Sequence, residues 1–117
     1  MLSAYRHGIF PWFSEDEPVL WWSPDPRLVL FPREFKASRS LKKIIKRRFF
    51  DITFDEDFRT VIMECARVRV ERGEPTWIVE DMVEAYDRLY ESGYAHSVEA
   101  WKNGKMAGGL YGLALGK

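Results

Sequence analysis

The sequence predicts a mixed α/β fold of the α+β kind, with amphipathic helices set among antiparallel strands. Three stretches carry that prediction. Phe50-Asp51-Ile52-Thr53-Phe54 alternates with the period of two that a half-buried strand shows. Between Glu80 and Glu91, the residues Met82, Val83, Tyr86, Leu89 and Tyr90 recur at three- and four-residue spacings, one stripe of a helix that Gly93 stops. Lys102-Asn103-Gly104-Lys105 is a type I′ hairpin signal joining the alternating run Ala95–Trp101 to Met106–Leu115.

Composition sets the class within which those elements fold. A chain of 117 residues, 46% hydrophobic and 31% charged, has the make-up of one globular domain or part of one, not of a disordered tail. Eighteen basic and eighteen acidic residues cancel, so net charge alone calls for no nucleic-acid partner. A single cysteine, Cys65, excludes an internal disulfide and fits a reducing compartment. Residues 1–13 lack the pattern of a leader peptide, and the longest apolar stretch, Met106–Leu115, is too short and glycine-rich to cross a bilayer. The expectation is a cytoplasmic monomer without a membrane partner.

In chain order, Leu2-Ser3-Ala4-Tyr5-Arg6-His7 reads as closing turns of a helix with Gly8 as its stop and His7 as a capping residue. Glu15-Asp16-Glu17-Pro18 reads as an exposed acidic turn. Val19–Trp22 and Leu28–Phe31 have strand length, and the Ser-Pro-Asp-Pro turn between them suggests a hairpin. Residues 33–48 then hold eight cations against one acid, Glu34. Ser38 or Ser40 can cap a helix there, with Leu41, Ile44 and Ile45 as its apolar face. Its outer face carries Arg39, Lys42, Lys43, Lys46, Arg47 and Arg48, which suits either a phosphate backbone or plain solvent. Asp55-Glu56-Asp57 opens a further helix with Phe58, Val61, Ile62 and Cys65 inward, and Val70–Pro75 reads as a polar loop. On the strand after Gly93, His96 reads as a satisfied, inward histidine, with no partner at a metal-ligand spacing; no metal and no cofactor is expected. Gly108, Gly109 and Gly112 weaken the last strand, as glycines do at a bulge or at the close approach of a ligand. Residues 1–75 read as one unit and residues 76–117 as the start of another.

The densest chemistry lies in Gly8-Ile9-Phe10-Pro11-Trp12-Phe13 and Trp21-Trp22-Ser23-Pro24-Asp25-Pro26-Arg27. Aromatic rings so close together need a core to fill or a flat ligand to stack on. The wording of both stretches closely resembles the signature of leucyl/phenylalanyl-tRNA protein transferases. The resemblance continues through Ser38-Arg39-Ser40-Leu41, Thr76-Trp77-Ile78, Val83-Glu84-Ala85-Tyr86, Gly93–Glu99 and Gly108-Gly109-Leu110-Tyr111-Gly112, and so covers essentially the whole chain.

That resemblance implies an enzyme moving leucine or phenylalanine from aminoacyl-tRNA to the N-terminal Lys or Arg of acceptor proteins. The products would be marked for N-terminal-residue-dependent degradation. It implies that Trp12 and Trp77, with Tyr86, surround the aminoacyl-adenosine, and that Leu110, beside Gly109, lines the amino-acid pocket where the family usually has methionine. It turns the basic helix toward tRNA. It also implies that residues 76–117 begin an acyl-CoA N-acyltransferase-like (GNAT-like) mixed-sheet domain. The phosphate loop of the acetyl-CoA users does not follow the last strand, which disfavours CoA. An acyl-CoA N-acyltransferase is the first rival reading, and a non-enzymatic RNA-binding module built on the basic helix is the second. No nucleophile stands beside a base, so catalysis by orientation is expected. The resemblance implies that the proton-relay residues lie beyond Lys117 and that this chain is an internal, inactive piece of the family's polypeptide.

Overall fold

The computed structural model of the chain describes residues 1–14 and 16–116. A short helix, α1 (Leu2–Arg6), gives way to a turn in which Gly8 takes a φ of +73°, open to glycine without strain. The turn delivers the chain into β1 (Phe10–Pro11), which pairs antiparallel with β2 (Trp21–Trp22). Of the acidic turn expected between them, Glu15 lies outside the described residues; Asp16, Glu17 and Pro18 are exposed.

The hairpin expected between Val19–Trp22 and Leu28–Phe31 does not form. β2 pairs instead with β1, and Leu28, Val29, Leu30 and Phe31 are exposed and without strand structure. Four consecutive apolar residues make a strand only when both faces are covered, and here neither is. After a single 3₁₀ turn at Pro32–Glu34, the basic segment forms α2 (Arg39–Lys46). Ser38 is its cap, its hydroxyl oxygen accepting the Leu41 N–H at 3.2 Å.

The remaining elements form two layers. β3 (Asp51–Phe54), β4 (Ala95–Lys102) and β5 (Lys105–Leu113) make an antiparallel sheet in the order β3-β4-β5. Asn103 and Gly104, at φ of 52° and 72°, make the expected hairpin turn between β4 and β5. Two helices, α3 (Phe58–Glu71) and α4 (Glu80–Glu91), cover one face of the sheet. The Asp57 carboxylate caps α3 by accepting the Thr60 N–H at 3.3 Å. This helix runs through Val70 to Glu71, into the stretch expected to be loop, and Arg67 pairs along its surface with Glu64 and Glu71. The sheet unites β3, from the first 75 residues, with β4 and β5 from the remainder; residue 75 marks no break in it.

Phe13, Phe58, Ile62, Ile78, Met82, Val83, Tyr86 and Ala95 form the core between helices and sheet. The inner face of β4 is unusual in carrying Ala95, Ser97 and Glu99, all buried. The Glu99 carboxylate accepts the Thr53 hydroxyl at 2.6 Å, the Ser97 hydroxyl, and the Asp57 N–H at 3.4 Å. Trp101 Nε1–H in turn donates to Thr53 at 2.8 Å. Because that polar set is satisfied inside, the alternate residues turn outward. His96 is therefore exposed, not inward as its neighbours Val98 and Ala100 suggest, and its Nδ1 lies 2.8 Å from Asp55 Oδ2. Gly109 faces α3, where a Cβ would come within 2.9 Å of Val61 Cγ2. Its missing side chain lets the helix lie directly on the strand.

Candidate functional site

An aromatic cleft of about 630 Å³ opens where α1, the β1–β2 ribbon, α4 and the end of β5 meet. Its volume falls within the range of roughly 300–1,000 Å³ usual for small-molecule sites. Tyr5, Phe10, Trp12, Arg27, Trp77 and Tyr86 form most of its wall, and Tyr111, Gly112, Leu113 and Leu115 close it along β5.

Each ring is held by local structure. The Trp12 backbone is fixed twice: its N–H donates to the Leu20 carbonyl at 2.9 Å, and its carbonyl accepts Trp22 Nε1–H at 2.7 Å. The Trp12 side chain is 45% exposed, so its faces remain available. Trp77 sits in the loop before α4, shaped by the Thr76 hydroxyl accepting the Ile78 N–H at 3.1 Å. The Trp12 and Trp77 centroids are 5.8 Å apart with planes inclined at 31°, a splayed pair rather than a closed stack. Trp77 meets Tyr86 edge-on at 5.9 Å, and Tyr86 meets Tyr111 at 5.5 Å. The Tyr86 hydroxyl bonds that of Tyr5.

Burial raises the phenol of Tyr86 far above its ordinary range, and the Tyr5 contact adds to that rise. Burial also raises Tyr111, and it raises Tyr5 against the opposing pull of Tyr86 and Arg27. The three phenols stay protonated at neutral pH, serving as donors and ring edges rather than as bases. Among the described residues, neither a carboxylate nor an imidazole lines the cleft. Cys65 lies outside it with its thiol raised by burial, the reverse of what a nucleophile needs. The cleft can grip and orient a flat ring system; it does not contain an acid–base pair.

The structure thus brings together Trp12, Trp77 and Tyr86, which lie far apart in the chain. It does not bring Leu110 and Gly109 to the same wall. Leu110 points from the opposite face of β5 and is 68% exposed. It lines a second groove of about 300 Å³ with Phe54, His96 and Val98. The two hollows share Tyr111, Gly112 and Leu113, so they meet at β5. Gly109 belongs to the contact with Val61. The six cations Arg39, Lys42, Lys43, Lys46, Arg47 and Arg48 are all exposed on and just after α2, and among the described residues none is in an ion pair.

Sequence reasoning missed Tyr5, Arg27 and Tyr111. Tyr5 and Arg27 flank or sit within the very stretches that signal the site, which marks them as candidates. Tyr111 follows Leu110, and strand alternation puts the two on opposite faces, a signal that Leu110 and the core-facing rings could not share one side.

The family model described as leucyl/phenylalanyl-tRNA protein transferase matches residues 29–117, and the model of that family's N-terminal domain matches residues 1–25. A leucyl/phenylalanyl-tRNA–protein transferase of Syntrophobacter fumaroxidans is 58% identical over all 117 residues, which cover 50% of its length. Those of Desulfatibacillum aliphaticivorans and Pseudomonas fluorescens Pf0-1 are each 56% identical over the same span, covering 50% and 51% of their lengths. The chain spans about half the length of the curated relatives it matches.

Proposed function

Because this chain belongs to the leucyl/phenylalanyl-tRNA protein transferase family, we propose that its aromatic cleft receives the terminal adenosine of an aminoacyl-tRNA. The protein that carries it then transfers leucine or phenylalanine to an acceptor protein. The observation that carries this reading is the open, tilted pair of Trp12 and Trp77, 5.8 Å apart, in a cleft that neither a carboxylate nor an imidazole lines among the described residues. Base–aromatic stacking of this kind is worth about 1–3 kcal/mol per base. Tyr86 meets Trp77 edge-on, its hydroxyl committed to Tyr5.

The ester carbon of the substrate lies beyond the ribose, toward β5. There Gly112 leaves the strand bare between the cleft and the Leu110 groove. An amino-acid side chain passing Gly112 would reach Leu110, Phe54 and Val98, an apolar surface suited to leucine or phenylalanine. The cations of α2 meet tRNA phosphates, where each neutralised phosphate releases counterions. Rate enhancement comes from holding ester and amine in line. The acceptor is a protein with N-terminal Lys or Arg, and the product enters N-terminal-residue-dependent degradation in the bacterial cytoplasm, the enzyme acting as a monomer.

The full-length protein carrying this chain, incubated with labelled Phe-tRNA or Leu-tRNA, is expected to label a peptide beginning with Arg or Lys and to spare one beginning with Asp. Transfer from acetyl-CoA instead would identify an acyl-CoA N-acyltransferase. RNA binding without any transfer would leave an RNA-binding module.

A further inference from the structure

Arg27 is the one cation in the wall of the aromatic cleft among the described residues. Its place is set: Nη1–H donates to the Gly8 carbonyl, and the guanidinium carbon lies 4.9 Å from the centroid of the Phe10 ring. Stacked on a ring and tethered by one hydrogen bond, the planar fork keeps further N–H donors for a ligand. No carboxylate among the described residues pairs with it. Arg69, the other guanidinium near these rings at 5.7 Å from the Trp12 centroid, is in contrast paired with Glu74 at 3.7 Å. The cleft therefore offers π-faces and one uncompensated positive charge at the rim. Its complement is a flat ring bearing an anion.

We propose that Arg27 binds the phosphate of the terminal nucleotide while the aromatic wall holds its base, so that the cleft reads a nucleoside monophosphate unit rather than a bare nucleoside. This rests on the adenosine reading given above and adds to it the anion and the residue that takes it. A guanidinium is suited to the role because it can present two parallel N–H groups to two phosphate oxygens, whereas the dispersed lysines of α2 act as point charges along a backbone.

The test is a tryptophan-fluorescence titration of the full-length protein with adenosine and with adenosine 5′-monophosphate. The monophosphate is expected to bind roughly tenfold more tightly, the scale of a charge-assisted hydrogen bond at an open rim. Arg27→Gln should abolish that preference while adenosine still binds measurably, which also shows that the cleft is intact. Arg27→Lys, keeping the charge without the fork, should retain part of it. Adenosine binding with no preference for the monophosphate, or a preference that survives Arg27→Gln, would overturn the proposal while leaving the aromatic site standing. Loss of adenosine binding in Arg27→Gln would show that the arginine keeps the cleft's shape rather than taking the phosphate, and would overturn it too. If neither ligand perturbs the tryptophans, the adenosine reading itself fails, and the proposal with it.

Discussion

Glu99 shows how one residue can govern the local architecture. Burial by itself would push its carboxyl up, but the hydroxyls of Ser97 and Thr53 and the backbone N–H groups of Asp57 and Glu56 outweigh that and hold it below the ordinary carboxylate range. A group whose pKa is lower in the folded state than in the unfolded chain stabilises above its unfolded value. That stability is lost as pH falls through the folded value. Glu99→Gln replaces an acceptor with an amide whose N–H₂ faces fixed donors. A loss of about 1–3 kcal/mol is expected at neutral pH, with a smaller gap between variant and native protein in acid, measured by urea denaturation across a pH series. An identical gap at every pH would show the carboxylate to be irrelevant. No local pattern warns of this residue: Ser97-Val98-Glu99-Ala100 reads as a strand whose apolar pair faces inward, because burial of a charge becomes visible only once its donors are placed. The rings of the cleft are more legible. Trp12, Trp77 and Arg27 stand inside the quoted wording, with Tyr5 beside it, but the contacts that bring Arg27 to Gly8 and Phe10, and Tyr5 to Tyr86, are tertiary and leave no local pattern.

Helices and strands are legible where periodicity and caps agree. Ser38, Asn103-Gly104 and the stripe from Met82 to Tyr90 each specify local geometry that the fold keeps. Leu28–Phe31 does not follow its pattern, because apolar content alone does not supply a covering layer. The glycines of β5 read as a weakness of the strand; at Gly109 the cause is the approach of α3. Gly109→Ala would set its Cβ 2.9 Å from Val61 Cγ2 and 3.0 Å from Cγ1, forcing the helix off the sheet. A destabilisation of about 1–3 kcal/mol is expected from such overpacking, relieved in the Gly109→Ala, Val61→Ala double variant. Additive losses in the double variant would argue against the close approach of helix and strand. On α2, none of whose residues is buried, changing Lys42, Lys43 and Lys46 together to Ala should alter folding little. It should weaken tRNA binding and reduce the slope of log K against log salt by about one for each phosphate no longer neutralised. An unchanged slope would remove α2 from the interface.

At the scale of the molecule, α3 and α4 brace one face of the sheet, and their packing brings a loop tryptophan, Trp77, against a ribbon tryptophan, Trp12. Order in the sequence could not reveal that meeting, since β2, α2, β3 and α3 all intervene; the family wording could. Nor could periodicity show that the two units read from the sequence share one sheet, because strand pairing across long separations leaves no local trace. On the reading proposed above, this meeting of rings positions the aminoacyl-adenosine. Trp12 is its cleanest probe: at 45% exposure it contributes modestly to the core, so its removal separates binding from folding. The decisive measurement is the rate of phenylalanine transfer from Phe-tRNA to an Arg-initiated peptide by the full-length protein, its Trp12→Phe variant and its Trp12→Ala variant, with thermal unfolding of each recorded alongside. A loss of roughly 10-fold or more is expected for Trp12→Ala, a far smaller one for Trp12→Phe, which keeps a π-face, and nearly equal unfolding temperatures for all three. Undiminished transfer by Trp12→Ala, or a loss accounted for by unfolding, would contradict the claim and return the ring to the packing of the fold.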